Sequence, residues 1–198
     1  MTSDNQLMLT LPVITSDGWD ELEGGNSFIR GMRIRFSQGD FFCANGASVS
    51  SEERFGVVGV KKGWQRWCDG RAETRITLPG QIHPSRDEIG DTNEDLWLLN
   101  KEGRKEDPWS DVRAVHMVSA ANLQEYTFVT QTYGGRKSVA ELGEKIRRMR
   151  MRYINARPII VLRHEKMRTK QGSALKPVLS VDEWHGLEGP DDLPKLCS

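Results

Sequence analysis

Cations and aromatic rings interleave at one place in this sequence, directly after an apolar run. The five side chains are Lys61, Lys62, Trp64, Arg66 and Trp67. A surface that binds a single nucleic-acid strand uses this combination, because cations contact the phosphates while aromatic faces stack on the bases. In an extended strand Trp64 and Arg66 share one face and Trp67 takes the other. We expect one tryptophan to be accessible and the other to fill the core, the commoner position for a Trp beside an apolar strand.

Two more groups of residues fit the same chemistry. Tyr126 and Phe128 are two residues apart and share one face of a predicted strand, where they either stack on bases or line the protein interior. Four cations occupy the end of one predicted strand and the turn before the next: Arg163, Lys166, Arg168 and Lys170. A turn with this much positive charge is suited to closing over a phosphate backbone.

The formal net charge is zero, but the charges are segregated along the chain. Residues 136–170 hold twelve Lys and Arg against three Glu, a net charge of +9. Three acidic stretches balance this block: 1–30 with a net charge of −4, 85–111 with −5 and 182–198 with −4. So few acids among twelve bases leave little scope for local ion pairs. We therefore interpret the basic block as a binding surface rather than as a solvated face.

Signals for catalysis are weak. The four histidines are far apart, with neither HxH nor HExxH spacing, and no GxxxxGK[ST], GxGxxG or GxSxG motif is present. A nuclease can hold Mg²⁺ with grouped carboxylates, and five of them occupy one loop: Asp87, Glu88, Asp91, Glu94 and Asp95. Solvation is the simpler explanation in a loop bounded by Pro and Gly. We expect no enzyme, no metal site and no cofactor.

The elements that would position these residues are mostly strands. Alternating or β-branched runs predict strands at 32–36, 55–67, 96–99, 112–119, 125–132, 159–162 and 177–184. One helix is predicted at 138–153, because Ser138 and Glu141 have capping-box spacing, apolar residues then recur at helical spacing, and Pro158 follows. Gly134-Gly135 is interpreted as the end of the preceding strand.

The order of the elements from residue 55 onward predicts a fold class. Three strands, a helix and two strands, with 96–99 set aside, match a five-stranded Greek-key barrel whose helix lies between strands three and four, the OB-fold arrangement. The cations at 163–170 then occupy the loop joining the last two strands, which flanks the binding groove of such a barrel. We expect a mainly β (α+β) protein with four parts. These are an irregular lead-in at 1–30, one OB-like domain at 31–185, a loop insertion in it at about 77–109, and an acidic tail at 186–198.

The composition suits one domain with a sizeable core, since the 198 residues are 37% hydrophobic and 28% charged. Three scattered cysteines (Cys43, Cys68 and Cys197) form no CxxC pair, which argues against disulfides and against a cysteine zinc site. The first residues lack the pattern of a signal peptide, and no apolar window is long enough to cross a membrane. We expect a cytoplasmic protein with no membrane partner.

Short motifs between residues 55 and 184 resemble small uncharacterised proteins encoded by phages and prophages. The motifs are Asp107-Pro108-Trp109, Tyr126-Thr127-Phe128, Gly134-Gly135, Pro158 to Leu162 and Pro177 to Trp184. This resemblance implies a bacterial host cell and supplies no catalytic residue. The stretch from Gly189 to Pro194 is similar to the acidic tail of bacterial single-stranded-DNA-binding proteins, although Lys195 to Ser198 follow and the terminal Phe of those tails is missing. That similarity implies contacts with replication or recombination proteins.

Together these features predict a single-stranded-DNA-binding protein of phage replication or recombination that catalyses nothing itself. DNA is favoured over RNA, and a homo-oligomer is compatible with the prediction. Two alternatives stay open. One is a phage structural or host-interaction protein whose basic face binds an acidic protein, and the other is a metal-dependent nuclease that uses the cluster from Asp87 to Asp95.

Overall fold

A computed structural model of the chain describes residues 27–68, 71–78, 81–100, 102–169 and 172–187. The strands are β1 (Met32–Ser37), β2 (Asp40–Cys43), β3 (Arg54–Cys68), β4 (Arg71–Thr77), β5 (Ser110–Ser119), β6 (Glu125–Thr130), β7 (Arg157–Thr169) and β8 (Gly172–His185). The α-helix, α1, is Tyr133–Arg150. Half of the described residues lie in strands and 16% in helices. The prediction of a mainly β protein is confirmed.

All eight strands belong to one sheet, in the order β2-β1-β6-β5-β3-β7-β8, with β4 also paired to β3. Only β1 and β6 run parallel; the other pairs are antiparallel. The long strand β3 pairs with β7 at Arg54–Gly56 and with β4 at Lys62–Cys68. A register shift between Val57 and Gly59 interrupts its pairing with β5, and such a bulge bends a strand. The sheet is curled into a half-barrel.

The concave side of the sheet and α1 enclose the main hydrophobic core. The predicted apolar stripe is Val139, Leu142, Ile146, Met149 and Tyr153, and the helix contributes the first three to this core. Met149 is only half-buried, and Tyr153 lies beyond the end of the helix at Arg150. Phe55 of β3 and Phe128 of β6 are fully buried against them. Burying one such side chain stabilises the fold by about 1.5–3 kcal/mol. The core therefore holds α1 and the strands on either side of it in a fixed arrangement.

The helix begins five residues before its predicted start. Thr132 is the N-cap, and its Oγ1 accepts a hydrogen bond from the backbone N–H of Gly135 at 3.1 Å. A Cβ atom at Gly135 would lie 1.9 Å from the Oγ1 of Thr130, so the glycine permits a close approach of helix and strand. The predicted cap, Ser138, lies inside the helix, where it accepts the N–H of Leu179 on β8 at 3.3 Å.

The prediction of a strand at 96–99 is wrong. Glu94–Leu96 is a single 3-10 turn, and Leu99 makes only an isolated bridge with Lys105. Conversely, no sequence pattern predicts β2 or β4. Residues 1–26 of the lead-in and 188–198 of the acidic tail lie outside the described residues. Within the described part of the chain, no helix is long and apolar enough to span a membrane.

Candidate nucleic-acid interface

Part of the aromatic and basic run of β3 belongs to a cluster of side chains that we call the Trp109 network. Its five members are Arg66, Glu73, Arg75, Asp91 and Trp109. Trp109 is 3% exposed, and the guanidinium groups of Arg66 and Arg75 lie over its ring, at 4.9 and 4.5 Å from the ring centroid. Its indole N–H donates to Oδ2 of Asp91 at 2.7 Å. Arg66 is also paired with Glu73 and Asp91, each at 2.6 Å. The cations of these five residues are therefore held by partners within the fold.

Trp64 lies on the same face of β3 as Arg66, but its ring is in contact with the loop after β4. His83 stacks on it, with ring centroids 5.7 Å apart and an interplanar angle of 2°. The indole N–H of Trp64 donates to the carbonyl of Pro84 at 3.0 Å. Burial, and then the nearby cation of Arg113, lower the pKa of His83 below its usual value, so the imidazole is neutral at pH 7. The stacking face of Trp64 is occupied by a neutral ring.

Of the run from Lys61 to Trp67, only Lys62 and Trp67 are exposed. Trp67 is the accessible ring, with 63% of its surface exposed. Lys61 is 7% exposed, and its Nζ donates to the carbonyl of Ser27 at 3.2 Å. Most side chains of the predicted aromatic and basic site are therefore engaged in contacts within the fold.

Tyr126 and Phe128 share one strand face, and that face is the interior. Phe128 is fully buried and Tyr126 is 8% exposed. The ring centroid of Phe128 lies 5.7 Å from that of Phe41, and the centroid of Tyr126 lies 5.5 Å from that of Phe55. Large rings gain more from burial in such a core than from exposure to water. Of the two predicted alternatives for these rings, the structure shows the interior position and not a stacking platform for bases.

The loop between β4 and β5 is fixed by ion pairs of its own. Arg86 donates two hydrogen bonds to Asp107, at 2.6 and 2.7 Å. Burial alone would raise the pKa of Asp107, but these bonds and the backbone N–H of Trp109 outweigh burial and lower the pKa. Arg86 also donates to the carbonyls of Gly90 and Asp91. The loop therefore has a defined position over the end of β3.

The acidic residues of this loop do not converge on a metal position. Among the described residues, no group of three or more His, Cys, Asp or Glu side chains is close enough to hold a metal ion. Asp91 belongs to the Trp109 network, Glu88 accepts two hydrogen bonds from Ser85, and Asp95 is paired with Lys105 at 2.9 Å. These carboxylates order the loop.

The second cationic group lies on the hairpin formed by β7 and β8, and we call residues 163–176 the basic hairpin. Its exposed cations on β7 are Arg163, Lys166 and Arg168. None of the three has an ion-pair partner among the described residues. The hairpin's single acid, Glu165, is paired instead with the buried Lys176 at 2.8 Å. Lys170 lies outside the described residues.

The arginines of α1 differ from those of the basic hairpin. Arg147 and Arg148 are exposed, but both pair with Glu144, at 2.9 and 2.7 Å. Their hydrogen bonds lower the pKa of Glu144 to about 2. The basic block at 136–170 thus contains paired cations on the helix and unpaired ones on the hairpin, a division that its net charge does not reveal.

Residues 27–30 cover the outer face of β5 and β6, which no sequence pattern predicts. The apolar contacts there are made by Phe28, with Val112, Ala114 and Val129. Two buried polar side chains bind the backbone of the covering segment: Nε2 of His116 lies 3.2 Å from the carbonyl of Phe28, and Oγ1 of Thr127 donates to the carbonyl of Arg30 at 2.6 Å. In the sequence, the only indication of this covering segment is a polar His116 and a polar Thr127, each between apolar or aromatic residues of a predicted strand.

The chain matches no known protein-family model, and no curated protein or solved structure matches it either. The resemblance to phage proteins therefore gains no support from related proteins. The similarity of the acidic tail falls on residues outside those described. Function has to be inferred from the positions and partners of the side chains.

Proposed function

We propose that this protein binds single-stranded nucleic acid, DNA in preference to RNA, without catalysing a reaction, and that the basic hairpin contacts the phosphates. The observation that carries the proposal is the exposure of Arg163, Lys166 and Arg168 without ion-pair partners in the described part of the chain. A cation without a carboxylate partner needs no rearrangement of the fold before it meets a phosphate. Each such contact releases a condensed counterion, which favours binding.

We further propose that five of the eight strands form an OB-like barrel. With β4 set aside, the elements β3, β5, β6, α1, β7 and β8 follow one another along the chain in the order predicted for it. The five strands are neighbours in the sheet in the order β6-β5-β3-β7-β8. In this assignment the basic hairpin is the outer part of the β7–β8 ribbon. It takes the place of the loop that joins the last two strands and flanks the binding groove of OB folds. β1, β2 and β4 are then additions to the barrel, with β1 paired along the second edge of β6.

The proposal is tested by measuring the affinity for a fluorescent oligo-dT as a function of salt. We compare wild type with Lys166→Ala/Arg168→Ala. A single strand contributes about −0.7 to the slope of log affinity against log salt for each phosphate contact, so the variant should have a slope flatter by about 1.4. Duplex and RNA oligonucleotides of equal length check the preference for single-stranded DNA.

A matched control removes two positive charges that have a partner. Arg147→Ala/Arg148→Ala has the same loss of net charge, but these arginines pair with Glu144, so its salt slope should remain close to that of wild type. Wild-type protein that binds no single strand at low salt contradicts the proposal and favours an acidic protein as the partner of the hairpin. Cleavage of labelled DNA in Mg²⁺ or Mn²⁺ would contradict the non-catalytic part.

A further inference from the structure

Two arginines of β1 are exposed cations that the proposed function leaves unused. Strand alternation directs Met32, Ile34 and Phe36 toward the core and Arg33 and Arg35 toward the opposite face. Both arginines are exposed. Neither has an ion-pair partner among the residues that the structure describes.

An aromatic ring lies beside these arginines. Arg35 is the register partner of Phe42 on β2, and directly opposed residues of two strands share a face. The ring of Phe42 is half-buried, so part of it is open to solvent. On the other side, Arg33 is the register partner of Thr127 on β6. We call Arg33, Arg35 and Phe42 the β1–β2 face; it has the combination of cations and ring that stacks on bases and contacts phosphates.

The turn between β1 and β2 touches the basic hairpin. Gly39 in this turn has a φ of +100°, and a Cβ atom there would lie 2.9 Å from Cδ1 of Leu175 and 3.8 Å from the ring of His164. Leu175 is the register partner of Lys166. The unpaired cations of the hairpin and those of the β1–β2 face therefore lie on two elements that are in direct contact.

The neighbouring outer face of β5 and β6 is not open to a ligand strand. Phe28 covers it, and the buried side chains of His116 and Thr127 bind the backbone of residues 27–30. Beside β1, the outer face of β6 is covered, whereas β1 itself carries two exposed arginines without ion-pair partners among the described residues. The accessible cations thus favour a path across the first two strands.

We propose that the β1–β2 face is a second contact surface for single-stranded nucleic acid. Arg33 and Arg35 contact phosphates, and the exposed part of Phe42 contacts a base. This inference rests on the proposed function, because it extends the same ligand from the basic hairpin. It adds residues that the sequence analysis did not single out, and it does not use the predicted run from Lys61 to Trp67 on β3.

The test measures oligo-dT affinity between about 50 and 200 mM salt, where phosphate contacts are most easily resolved. Arg33→Ala/Arg35→Ala should flatten the salt slope by about 1.4 relative to wild type, and Arg33→Lys/Arg35→Lys should restore most of the slope. Phe42→Leu keeps an apolar side chain but removes the ring. It should weaken binding by about fivefold or more without changing the slope, because stacking is not a counterion effect.

The control is Arg147→Ala/Arg148→Ala, which has the same change in net charge on paired residues. The inference is overturned if wild type binds, the Lys166→Ala/Arg168→Ala variant has a flatter slope, and the folded Arg33→Ala/Arg35→Ala variant behaves like this control. The same holds if that variant gains only a tendency to self-associate, since the arginines would then protect a sheet edge. If the wild-type protein binds no oligo-dT, the proposed function itself is contradicted.

Discussion

In the Trp109 network, Arg66 and Arg75 lie against an indole ring and within reach of carboxylates and a backbone carbonyl. In the basic hairpin, Lys166 and Arg168 extend from a two-stranded ribbon and have no ion-pair partner among the described residues. Both regions attract attention in the sequence for the same reason, their Lys and Arg content. They differ in whether other parts of the chain supply partners.

That difference separates two uses of a cation. A guanidinium that bonds to a half-buried carboxylate helps to fix the position of a loop, and removing it leaves the carboxylate unsatisfied. An exposed cation without a partner contributes little to stability and remains available to a phosphate. We therefore expect changes in the Trp109 network to alter stability, and changes of the exposed cations Lys166 and Arg168 of the basic hairpin to alter binding alone.

The largest effect is expected for Trp109→Ala. The substitution removes a ring that is 3% exposed, the surface on which two arginines lie, and the donor to Asp91. We expect a loss of about 3–5 kcal/mol in the free energy of unfolding, measured by urea denaturation. Trp67→Ala is the matched control, because its ring is 63% exposed; its unfolding free energy should change by less than about 0.5 kcal/mol. Equal losses in both variants would contradict this account of the network.

A smaller loss is expected where the basic hairpin joins the helix. A Cβ atom at Gly134 would lie 2.8 Å from Cβ of Lys176 and 3.3 Å from Cε of Met167, so Gly134→Ala should cost about 1–3 kcal/mol through overpacking. Gly143→Ala, in the same helix, meets nothing within 4 Å. It should stabilise the protein by about 0.4–1 kcal/mol, since alanine restricts the unfolded chain. Thermal unfolding of the two variants gives the comparison, and a stabilised Gly134→Ala variant would show that the base of the hairpin is loosely packed.

The glycine pair at 134–135 also shows what local patterns can and cannot predict. The β5–β6 hairpin and the apolar stripe of α1 follow from periodicity within a short window, and both are observed. The glycines have the local signature of a turn, but they are required by contacts with Thr130 and Lys176. Contacts between residues distant in sequence leave no periodic signal.

The absence of a periodic signal also explains why the internal contacts of the candidate site were not predicted. The partners of Arg66 and Trp64 come from a loop with no periodic pattern, through Asp91, His83 and Pro84. Sequence alone could therefore identify these residue types but not their internal pairing.

The pairing of the last two strands was predicted, because these strands are neighbours in sequence. The prediction of their ends is wrong: Arg163, Lys166 and Arg168 were assigned to the end of a strand and a turn, whereas they lie within β7 (Arg157–Thr169). That Arg163, Lys166 and Arg168 have no ion-pair partner within the described residues follows only from the positions of these side chains in the structure.

Acidification should act on two histidines with internal contacts: His83, which stacks on Trp64, and His116, which contacts the carbonyl of Phe28. Burial, and then the cation of Arg113, lower the pKa of His83, and burial likewise lowers the pKa of His116. The unfolded chain therefore binds these protons first, at a pH near the ordinary His value of about 6.5. The stabilisation is complete above that pH and is lost as the pH falls toward the folded pKa values.

This pH dependence can be measured from urea midpoints between about pH 8 and pH 5, across the ordinary His pKa. His83→Gln should show a weaker decline than wild type, and the remaining decline should come from His116. The lowered pKa values of Asp107 and of Glu144, the latter about 2, act only at still lower pH. Wild-type protein that gains stability on acidification from pH 8 would contradict the neutral state of the half-buried His83 and the buried His116.

The smallest effect on stability is expected for the hairpin variant that should change binding most clearly. Lys166→Ala/Arg168→Ala removes two exposed side chains without ion-pair partners in the described part of the chain. Its unfolding free energy should therefore stay within about 0.5 kcal/mol of wild type. The same sample should show the flatter salt slope for oligo-dT, so lost binding cannot be attributed to unfolding. A loss of stability comparable to that of Gly134→Ala would mean that these cations have structural partners, and the contrast between network and hairpin would then no longer hold.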